Sequence, residues 1–227
     1  SLMSKHVKLV IFDLDGTLAD TIPDIAAAIS KTIAKYGDFG NIEDLTRRSI
    51  GNGARKLMER VYDNLGISKE NLEEDLKAYE ALYARENCIE TVLYPHTMQV
   101  LEGLKARGIK MAVATMKPRG ATWGVLENLG VVPFMEHIFS ADDMAAPKPD
   151  PWSVVESARR VGVLPEECMM VGDSMTDVGS GINAGAVSVA ILGGYYDQEK
   201  MRHSGAMYSI CDIGEVLDIV DEINSRE

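Results

Sequence analysis

Asp13 and Asp15 follow an apolar run, VKLVIF at residues 7–12, and Gly16 comes directly after them. Carboxylates cost free energy beside a buried strand unless a ligand or a partner requires them there. Gly16 permits a turn of the chain, so that Asp15 takes a position different from that of Asp13. This spacing predicts a ligand site at the carboxyl end of the first strand.

Polar side chains also follow later apolar runs. Thr115 ends a strand predicted over 109–115, and Asp173 follows a strand predicted over 168–172. Lys148 lies between these two segments, in the proline-braced sequence APKPDP. Ligands of open parallel sheets bind outside the carboxyl ends of the strands. We therefore expect the carboxylates, the hydroxyl and the lysine to converge on one cleft.

Such a set of groups suits phosphoryl chemistry. Carboxylates from two strand ends, Asp13 and Asp173, favour a hard divalent cation, and an oxygen shell completed by water and a phosphate favours Mg²⁺. An aspartate can attack phosphorus and form an aspartyl-phosphate, which is the role expected of Asp13. Asp15 is expected to protonate the leaving oxygen and then to activate water. Thr115 and Lys148 are expected to bind the phosphate.

Predicted helices and strands alternate from Tyr94 onward, and this alternation indicates the architecture that positions these groups. Helices are predicted over 97–107, 120–129, 151–161, 175–184 and 214–223, and strands over 109–115, 137–140, 168–172, 186–191 and 208–210. Alternation of this kind implies an α/β fold with a parallel sheet, right-handed crossovers and helices on both faces. A Rossmann-like core is the predicted fold class.

A helical block interrupts this alternation after the first strand. Apolar residues at helical spacing from Ile22 to Ile33 precede two further amphipathic segments, GARKLMERVYDNLG and KENLEEDLKAYEALYAREN. We interpret residues 20–92 as an α-helical cap domain inserted into a core domain formed by residues 1–19 and 93–227.

Composition narrows the class of protein. The 227 residues carry a net charge of −12 and are 46% hydrophobic, and no apolar stretch approaches the length of a membrane span. An acidic chain of this kind disfavours partnership with nucleic acid or with an anionic membrane. Three scattered cysteines predict no disulfide framework, which favours the cytoplasm. A small phosphorylated metabolite is the expected partner, and the sequence does not determine an oligomeric state.

Four segments in order, DLDGTLADT, VATMKP, APKPDP and VGDSMTDV, resemble the motifs of the haloacid dehalogenase superfamily of phosphotransferases. The resemblance implies Mg²⁺ dependence, a helical cap and an aspartyl-phosphate intermediate. It assigns the metal to Asp13, Asp173 and the backbone carbonyl of Asp15, with Ser174 and Asp177 supporting these ligands from just outside. The aspartate at position 15 favours phosphoryl transfer over cleavage of a carbon–halogen bond, because the dehalogenases of the superfamily lack it.

Within the superfamily, the segment RRSIGNGARKLMERV at residues 47–61 is similar to the cap of phosphoglycolate phosphatases. Two interpretations of Gly51, Asn52 and Gly53 remain open: a simple helix start, or an anion site at a helix N-terminus to which Arg47 and Lys56 contribute. Arg47 is also interpreted as an ordinary surface charge.

One position departs from the pattern of that group. Met116 stands where the second motif usually has asparagine, and its backbone amide is expected to bind phosphate instead. The chemistry is therefore expected to persist, while the fit to phosphoglycolate is open.

Two other functions are alternatives to the hydrolysis of a phosphorylated metabolite. A sugar-phosphate mutase similar to β-phosphoglucomutase would reuse both aspartates and the cap. Thr17 and the position of Arg55 match that group poorly, because its members commonly have valine after Asp-Gly and an arginine in the cap loop. A non-catalytic module that binds phosphorylated ligands would lack the nucleophile or a metal ligand, and both are present.

Overall fold

Six parallel strands form the central sheet in the computed structural model, which describes residues 6–226. Their order across the sheet is β5-β4-β1-β6-β7-β8. The strands of this sheet are β1 (Leu9–Phe12), β4 (Lys110–Ala114), β5 (His137–Phe139), β6 (Cys168–Gly172), β7 (Val187–Ile191) and β8 (Tyr208–Ile210). A second, two-stranded antiparallel sheet contains β2 (Ala19–Asp20) and β3 (Val92–Leu93).

Ten α-helices accompany the strands in the described part of the chain. They are α1 (Ile22–Ile33), α2 (Glu43–Ser49), α3 (Gly53–Leu65), α4 (Leu72–Arg85), α5 (Thr97–Ala106), α6 (Arg119–Asn128), α7 (Trp152–Val161), α8 (Met175–Ala184), α9 (Gln198–Arg202) and α10 (Glu215–Asn224). The α/β fold with a parallel sheet agrees with the prediction, and helices α1–α4 lie in the segment predicted to form a cap.

β1 is buried on both faces, which explains its continuous apolar sequence. Val10 and Phe12 pack into the core cluster that also contains residues of α5, α6 and α10. Leu9 and Ile11 point the other way, into the cluster formed with α7. The two-residue period of a strand therefore assigns alternate side chains of β1 to the two layers of helices.

The strand order changes direction at β1. The chain leaves β1 to build β4 and β5 on one side, and then returns to place β6, β7 and β8 on the other. A crevice forms at such a switch point, outside the carboxyl ends of the strands. Asp13 is the first residue after β1 and therefore lies at this crevice.

Helices α1–α4 pack around a second hydrophobic cluster, which includes Ile29, Met58, Tyr62 and Tyr83 and reaches Ala121 of α6. The buried Asp75 carboxylate accepts hydrogen bonds from the hydroxyls of Tyr36 and Tyr62, at 2.6 Å each, and pairs with Lys35. A cluster formed almost entirely by α1–α4 supports the proposed cap domain, and the division at residues 20 and 92 stays a prediction.

Two chain segments, which meet as β2 and β3, link the cap helices to the core. The buried Asp24 carboxylate, in the first turn of α1, joins them. Asp24 Oδ2 accepts hydrogen bonds from the backbone N–H groups of Ile89, Glu90 and Thr91 at 2.8–3.0 Å and from the Thr91 hydroxyl at 2.7 Å. The start of the first cap helix and the end of the cap are thereby fastened to each other.

The sequence did not predict the shortest elements. α2 has seven residues and α9 has five, and β2 and β3 have two each. Such lengths contain too few residues for a hydrophobic period to emerge. Among residues 6–226, every helix is too short or too polar to cross a bilayer.

We expect Asp24→Asn to lower the free energy of unfolding by about 1–3 kcal/mol, because an amide NH₂ would then face backbone N–H donors. Urea denaturation measures this change. Asp38→Asn is the matched control, since Asp38 is exposed in the cap and asparagine keeps the acceptor that it offers to Gly40 N. Equal free energies of unfolding in Asp24→Asn and Asp38→Asn would show that the hydrogen bonds of Asp24 do not stabilise the fold.

Candidate active site

A cleft of about 650 Å³ opens at the crevice, with the core loops on one side and the cap helices on the other. Asp13, Asp15, Thr115, Lys148 and Asp173 all line it. The structure therefore brings together the residues that the strand ends predicted.

A tight turn after β1 positions the first two carboxylates. Asp13 continues the ladder, since its N–H donates to the carbonyl of Val171 at 3.0 Å. Gly16 then adopts a φ of +80°, and its N–H donates to Ala19 O at 3.0 Å. A Cβ at Gly16 would collide with the Asp173 carboxylate, so both backbone conformation and space require glycine there.

Asp15 lies at the boundary between core and cap. Its Oδ1 accepts hydrogen bonds from Thr21 Oγ1 at 2.5 Å and from Lys117 Nζ at 2.8 Å. Lys117 also donates to the hydroxyl of Tyr83, on the cap helix α4. A role for Lys117 was not predicted from the sequence, although this residue lies two positions after Thr115 in the same strand-end segment.

Three carboxylates lie close together here: Asp13 and Asp173 line the cleft, and Asp177 is fully buried. Oxygens of Asp13, Asp173 and Asp177 lie within 4.8 Å of one another. Thr17 Oγ1 and the N–H of Tyr195 both donate to Asp173, at 3.4 and 3.0 Å. Hard oxygen donors at this spacing can hold a divalent cation.

Ser174 and Asp177 begin α8 as a capping box. Ser174 Oγ and its backbone N–H donate to Asp177 Oδ2 at 2.8 and 3.1 Å, and Asp177 N–H donates back to the serine hydroxyl. Asp177 Oδ1 accepts from Lys148 Nζ at 2.6 Å. Asp177 is therefore fully engaged with groups of the protein.

Lys148 is the cation next to the three carboxylates. Besides Asp177, its ammonium contacts Asp13 Oδ1 at 3.4 Å and donates to the carbonyl of Ala114 at 2.9 Å. Burial by itself would lower the pKa of Lys148, but the charges of Asp13 and Asp177 outweigh it and raise the pKa above its ordinary value. This lysine stays charged.

One lysine does not neutralise the whole cluster. Burial, followed by the charge of Asp177, raises the pKa of Asp13 well above its ordinary range, and Lys148 opposes this only in part. The same two causes raise the pKa of Asp173 to about 7. Closely spaced buried carboxylates resist ionisation unless a further cation joins them.

The second strand end contributes Thr115 and Met116. The N–H of Thr115 donates to Phe139 O at 2.9 Å, and its hydroxyl accepts from Lys117 N–H at 3.2 Å. Met116 lines the cleft next to it. Their binding of phosphate stays a prediction.

Gly51, Asn52 and Gly53 reach the cleft from the cap. Asn52 has a left-handed backbone with φ of +63°, and α3 begins at Gly53. Arg60 holds the loop, because its guanidinium donates to the carbonyls of Ser49 and Gly51 and to Asn52 Oδ1, each at 3.0 Å. A helix start is therefore observed, and contact with substrate stays a prediction.

The structure does not bring Arg47 and Lys56 to the cleft. Arg47 pairs with Asp44 at 3.0 Å, and Lys56 pairs with Glu59 at 3.5 Å, both on the cap surface. The charge nearest to this loop is instead Arg60, which the sequence analysis did not select.

Tyr195 is a second contributor that the sequence analysis missed. Its hydroxyl donates to Asp20 Oδ1 at 3.0 Å and accepts from Thr21 N–H at 2.8 Å, while its own N–H donates to Asp173. Nothing in the local sequence signals a contact between residues 174 positions apart. Tyr195 connects the loop after β7 with the first linker to the cap.

Comparison with known proteins supports the resemblance expected from the four segments. A family model described as a haloacid dehalogenase-like hydrolase matches residues 7–185. The phosphoglycolate phosphatase of Colwellia psychrerythraea is 32% identical over 215 residues, which cover 92% of this chain and 95% of that protein.

Solved structures show the same likeness. A protein assigned as a phosphoglycolate phosphatase from Haemophilus somnus is similar with a TM-score of 0.86 at 26% identity, over 94% of this chain and 97% of the other. A protein assigned as a β-phosphoglucomutase from Thermotoga maritima gives a TM-score of 0.73 at 26% identity, over 95% and 99% of the two chains.

The pKa of Asp173 predicts how stability depends on pH. As pH rises, the unfolded chain loses this proton near the ordinary value of 3.8, whereas the folded chain keeps it to about 7. The stabilisation is therefore complete below the unfolded pKa and is lost as pH rises through the folded one. In EDTA, we expect the free energy of unfolding to fall less between about pH 5 and about pH 8 in Asp173→Asn than in the wild type.

Urea unfolding at both pH values measures this difference. Glu74→Gln, which alters an exposed carboxyl of α4, is the control and should follow the wild type. An equal fall in Asp173→Asn would show that Asp173 ionises normally in the folded chain.

Proposed function

Because this chain belongs to the haloacid dehalogenase-like hydrolase family, and is a phosphatase of that family, we propose that it hydrolyses a small phosphomonoester of the phosphoglycolate type. Mg²⁺ is the proposed cofactor, and an aspartyl-phosphate is the proposed intermediate. The observation that carries the proposal is the convergence of Asp13, Asp173 and Asp177 with Lys148 at the end of the central strand.

In the first step, a carboxylate oxygen of Asp13 attacks phosphorus as the bond from phosphorus to the leaving oxygen breaks. Asp15 gives its proton to that oxygen, so the alcohol leaves neutral. In the second step, Asp15 takes a proton from water, and the water oxygen attacks the phosphorus of the aspartyl-phosphate. The bond to Asp13 breaks, and inorganic phosphate is released with both aspartates restored.

The transferred phosphoryl group needs donors and positive charge around it. Lys148 is the proposed charge, because its buried ammonium lies 3.4 Å from the proposed nucleophile. The Thr115 hydroxyl and the backbone N–H of Met116 are the proposed neutral donors. Fixed donors of this kind act more strongly in a water-poor cleft than they would in bulk water.

The carboxylate cluster fits a divalent cation. Burial and mutual repulsion raise the pKa of Asp13 and of Asp173, and a cation would relieve that repulsion. We propose that Asp13, Asp173 and the backbone carbonyl of Asp15 hold Mg²⁺, with Ser174 and Asp177 in support. When bound, Mg²⁺ would stabilise the negative charge of the phosphoryl oxygens.

The cap side of the cleft supports a small substrate. Ile25, Ile50 and Leu57 line it, together with the stacked rings of Tyr79 and Tyr83. A sugar presents many hydroxyls that need polar partners, and this wall offers few of them. The relatives named phosphoglycolate phosphatases support the same choice.

A mutase outcome has less support. Arg55, the arginine closest to the position expected in β-phosphoglucomutases, pairs with Glu73 on the cap surface at 2.5 Å and does not line the cleft. The chain nevertheless has the same fold as the Thermotoga maritima protein. An assay of phosphate exchange between positions of a phosphorylated sugar separates the two outcomes.

The cytoplasm is the proposed location. Cys88, Cys168 and Cys211 are all free thiols, which agrees with a reducing compartment.

Asp13→Asn is expected to reduce turnover by at least about 10³-fold, because an amide is a poor nucleophile. Phosphate release under saturating substrate measures the loss, and circular dichroism checks the fold. Asp38→Asn should keep wild-type turnover. Activity close to wild type in Asp13→Asn would overturn the covalent mechanism.

Phosphate release from a panel of phosphorylated metabolites, with Mg²⁺ and with EDTA, tests cofactor and substrate together. We expect release that depends on the metal and that is concentrated on phosphoglycolate, because the relatives named phosphoglycolate phosphatases match nearly the whole chain. Equal release in EDTA would refute the metal assignment. Release spread over many sugar phosphates would refute the substrate class.

A further inference from the structure

Lys117 is a buried cation that the proposed reaction steps do not use. Its side chain is 3% exposed, and it lines the cleft between the phosphoryl site and the cap. Its ammonium lies 2.8 Å from Asp15 Oδ1 and 2.5 Å from the hydroxyl of Tyr83, and 4.4 Å from the centre of that ring. A buried charge held this closely is not an ordinary surface lysine.

The ammonium has one more donor than these contacts use. A lysine carries three N–H groups, and Asp15 and Tyr83 accept two of them. Within residues 6–226, no third acceptor contacts Lys117 Nζ. Buried donors normally find a partner, so a residue that lines a ligand cleft with one N–H to spare is prepared to bind an acceptor from the ligand.

The position of Lys117 indicates which part of the ligand supplies this acceptor. Asp15 is the proposed proton donor to the leaving oxygen, so any group attached to that oxygen lies close to Lys117 Nζ. Lys148, the other lysine of the cleft, is engaged with Asp13, Asp177 and the Ala114 carbonyl on the phosphoryl side. The two lysines therefore serve opposite ends of the substrate.

The cap offers no competing charge to the leaving group. The cap residues that line the cleft, which include Ile25, Asn52, Leu57 and Tyr79, are all uncharged. Lys117 is thus the one cation near the leaving group among the described residues of the wall.

We propose that Lys117 determines substrate specificity. It favours leaving groups in which a carboxylate is joined through one carbon to the phosphorylated oxygen. The proposal rests on the proposed phosphatase function and assigns its substrate preference to one side chain. The third N–H of Lys117 donates to the substrate carboxylate while the other two keep Asp15 and Tyr83 in place. A neutral hydroxyl in the same position forms a weaker hydrogen bond, because it lacks the charge.

Two substrates of similar size test this role. 2-Phosphoglycolate and 2-hydroxyethyl phosphate share the O–CH₂ unit, and they differ in ending in a carboxylate or in a neutral CH₂OH group. The measured quantity is the ratio of kcat/KM for the acidic substrate to kcat/KM for the neutral one. We expect Lys117→Met to lower this ratio by about 10- to 100-fold, which is the usual size of a hydrogen bond to a charged group.

The ratio isolates the contact with the carboxylate. Any misplacement of Asp15 in Lys117→Met slows both substrates and cancels in the ratio. Lys117→Arg should restore part of the ratio, because it keeps the charge. Lys117→Gln, which keeps a donor toward Asp15, replaces the methionine variant if thermal denaturation shows that the latter does not fold. Lys77→Met, on the exposed face of α4, is the matched control.

The outcomes separate this proposal from the proposed function. If the wild type hydrolyses both substrates and Lys117→Met leaves the ratio of kcat/KM values unchanged, Lys117 does not bind the carboxylate of the leaving group. The proposed phosphatase function is then unaffected. A wild-type ratio near one would overturn the role of Lys117 in the same way. If the wild type releases phosphate from neither substrate nor from the wider panel, the proposed function fails, and this inference fails with it.

Discussion

Three closely spaced carboxylates repel one another at the ends of the central strands, and the other features of the site follow from this repulsion. Asp13, Asp173 and Asp177 are drawn within 4.8 Å by the ends of β1 and β6 and by the start of α8. Lys148 and the capping box of Ser174 satisfy Asp177, which leaves Asp13 and Asp173 with raised pKa values. A fold that holds such groups together gives up stability in exchange for a place where a cation and a phosphate are favoured.

The rigid sheet makes that arrangement possible. β1 lies at the centre of six strands and is covered on both faces, so the first residue after it has little freedom to move away from its neighbours. The Gly16 turn then directs the chain back across Asp173, at a distance that no side chain at position 16 would allow. Local stiffness and a single glycine together fix the direction of both aspartates.

Contacts between core and cap connect the chemistry with the part that faces the leaving group. Lys117 of the core joins Asp15 to Tyr83 of the cap, and Tyr195 joins Asp173 to the first linker. Asp24 fastens the two linkers to each other beside β2 and β3, where the chain passes between core and cap.

The parallel α/β core, the long helices and the residues at the strand ends could be predicted from the sequence, because hydrophobic period and strand-end position are local properties of the chain. The contacts that these residues make depend on how the chain packs. Lys117 meets Asp15 across 102 residues and Tyr83 across 34, and no local pattern encodes such contacts. Tertiary structure also determined the partners of Arg47 and Lys56, which pair with Asp44 and Glu59 on the surface of the cap. Sequence can indicate which groups are available, but only packing brings a particular pair within bonding distance.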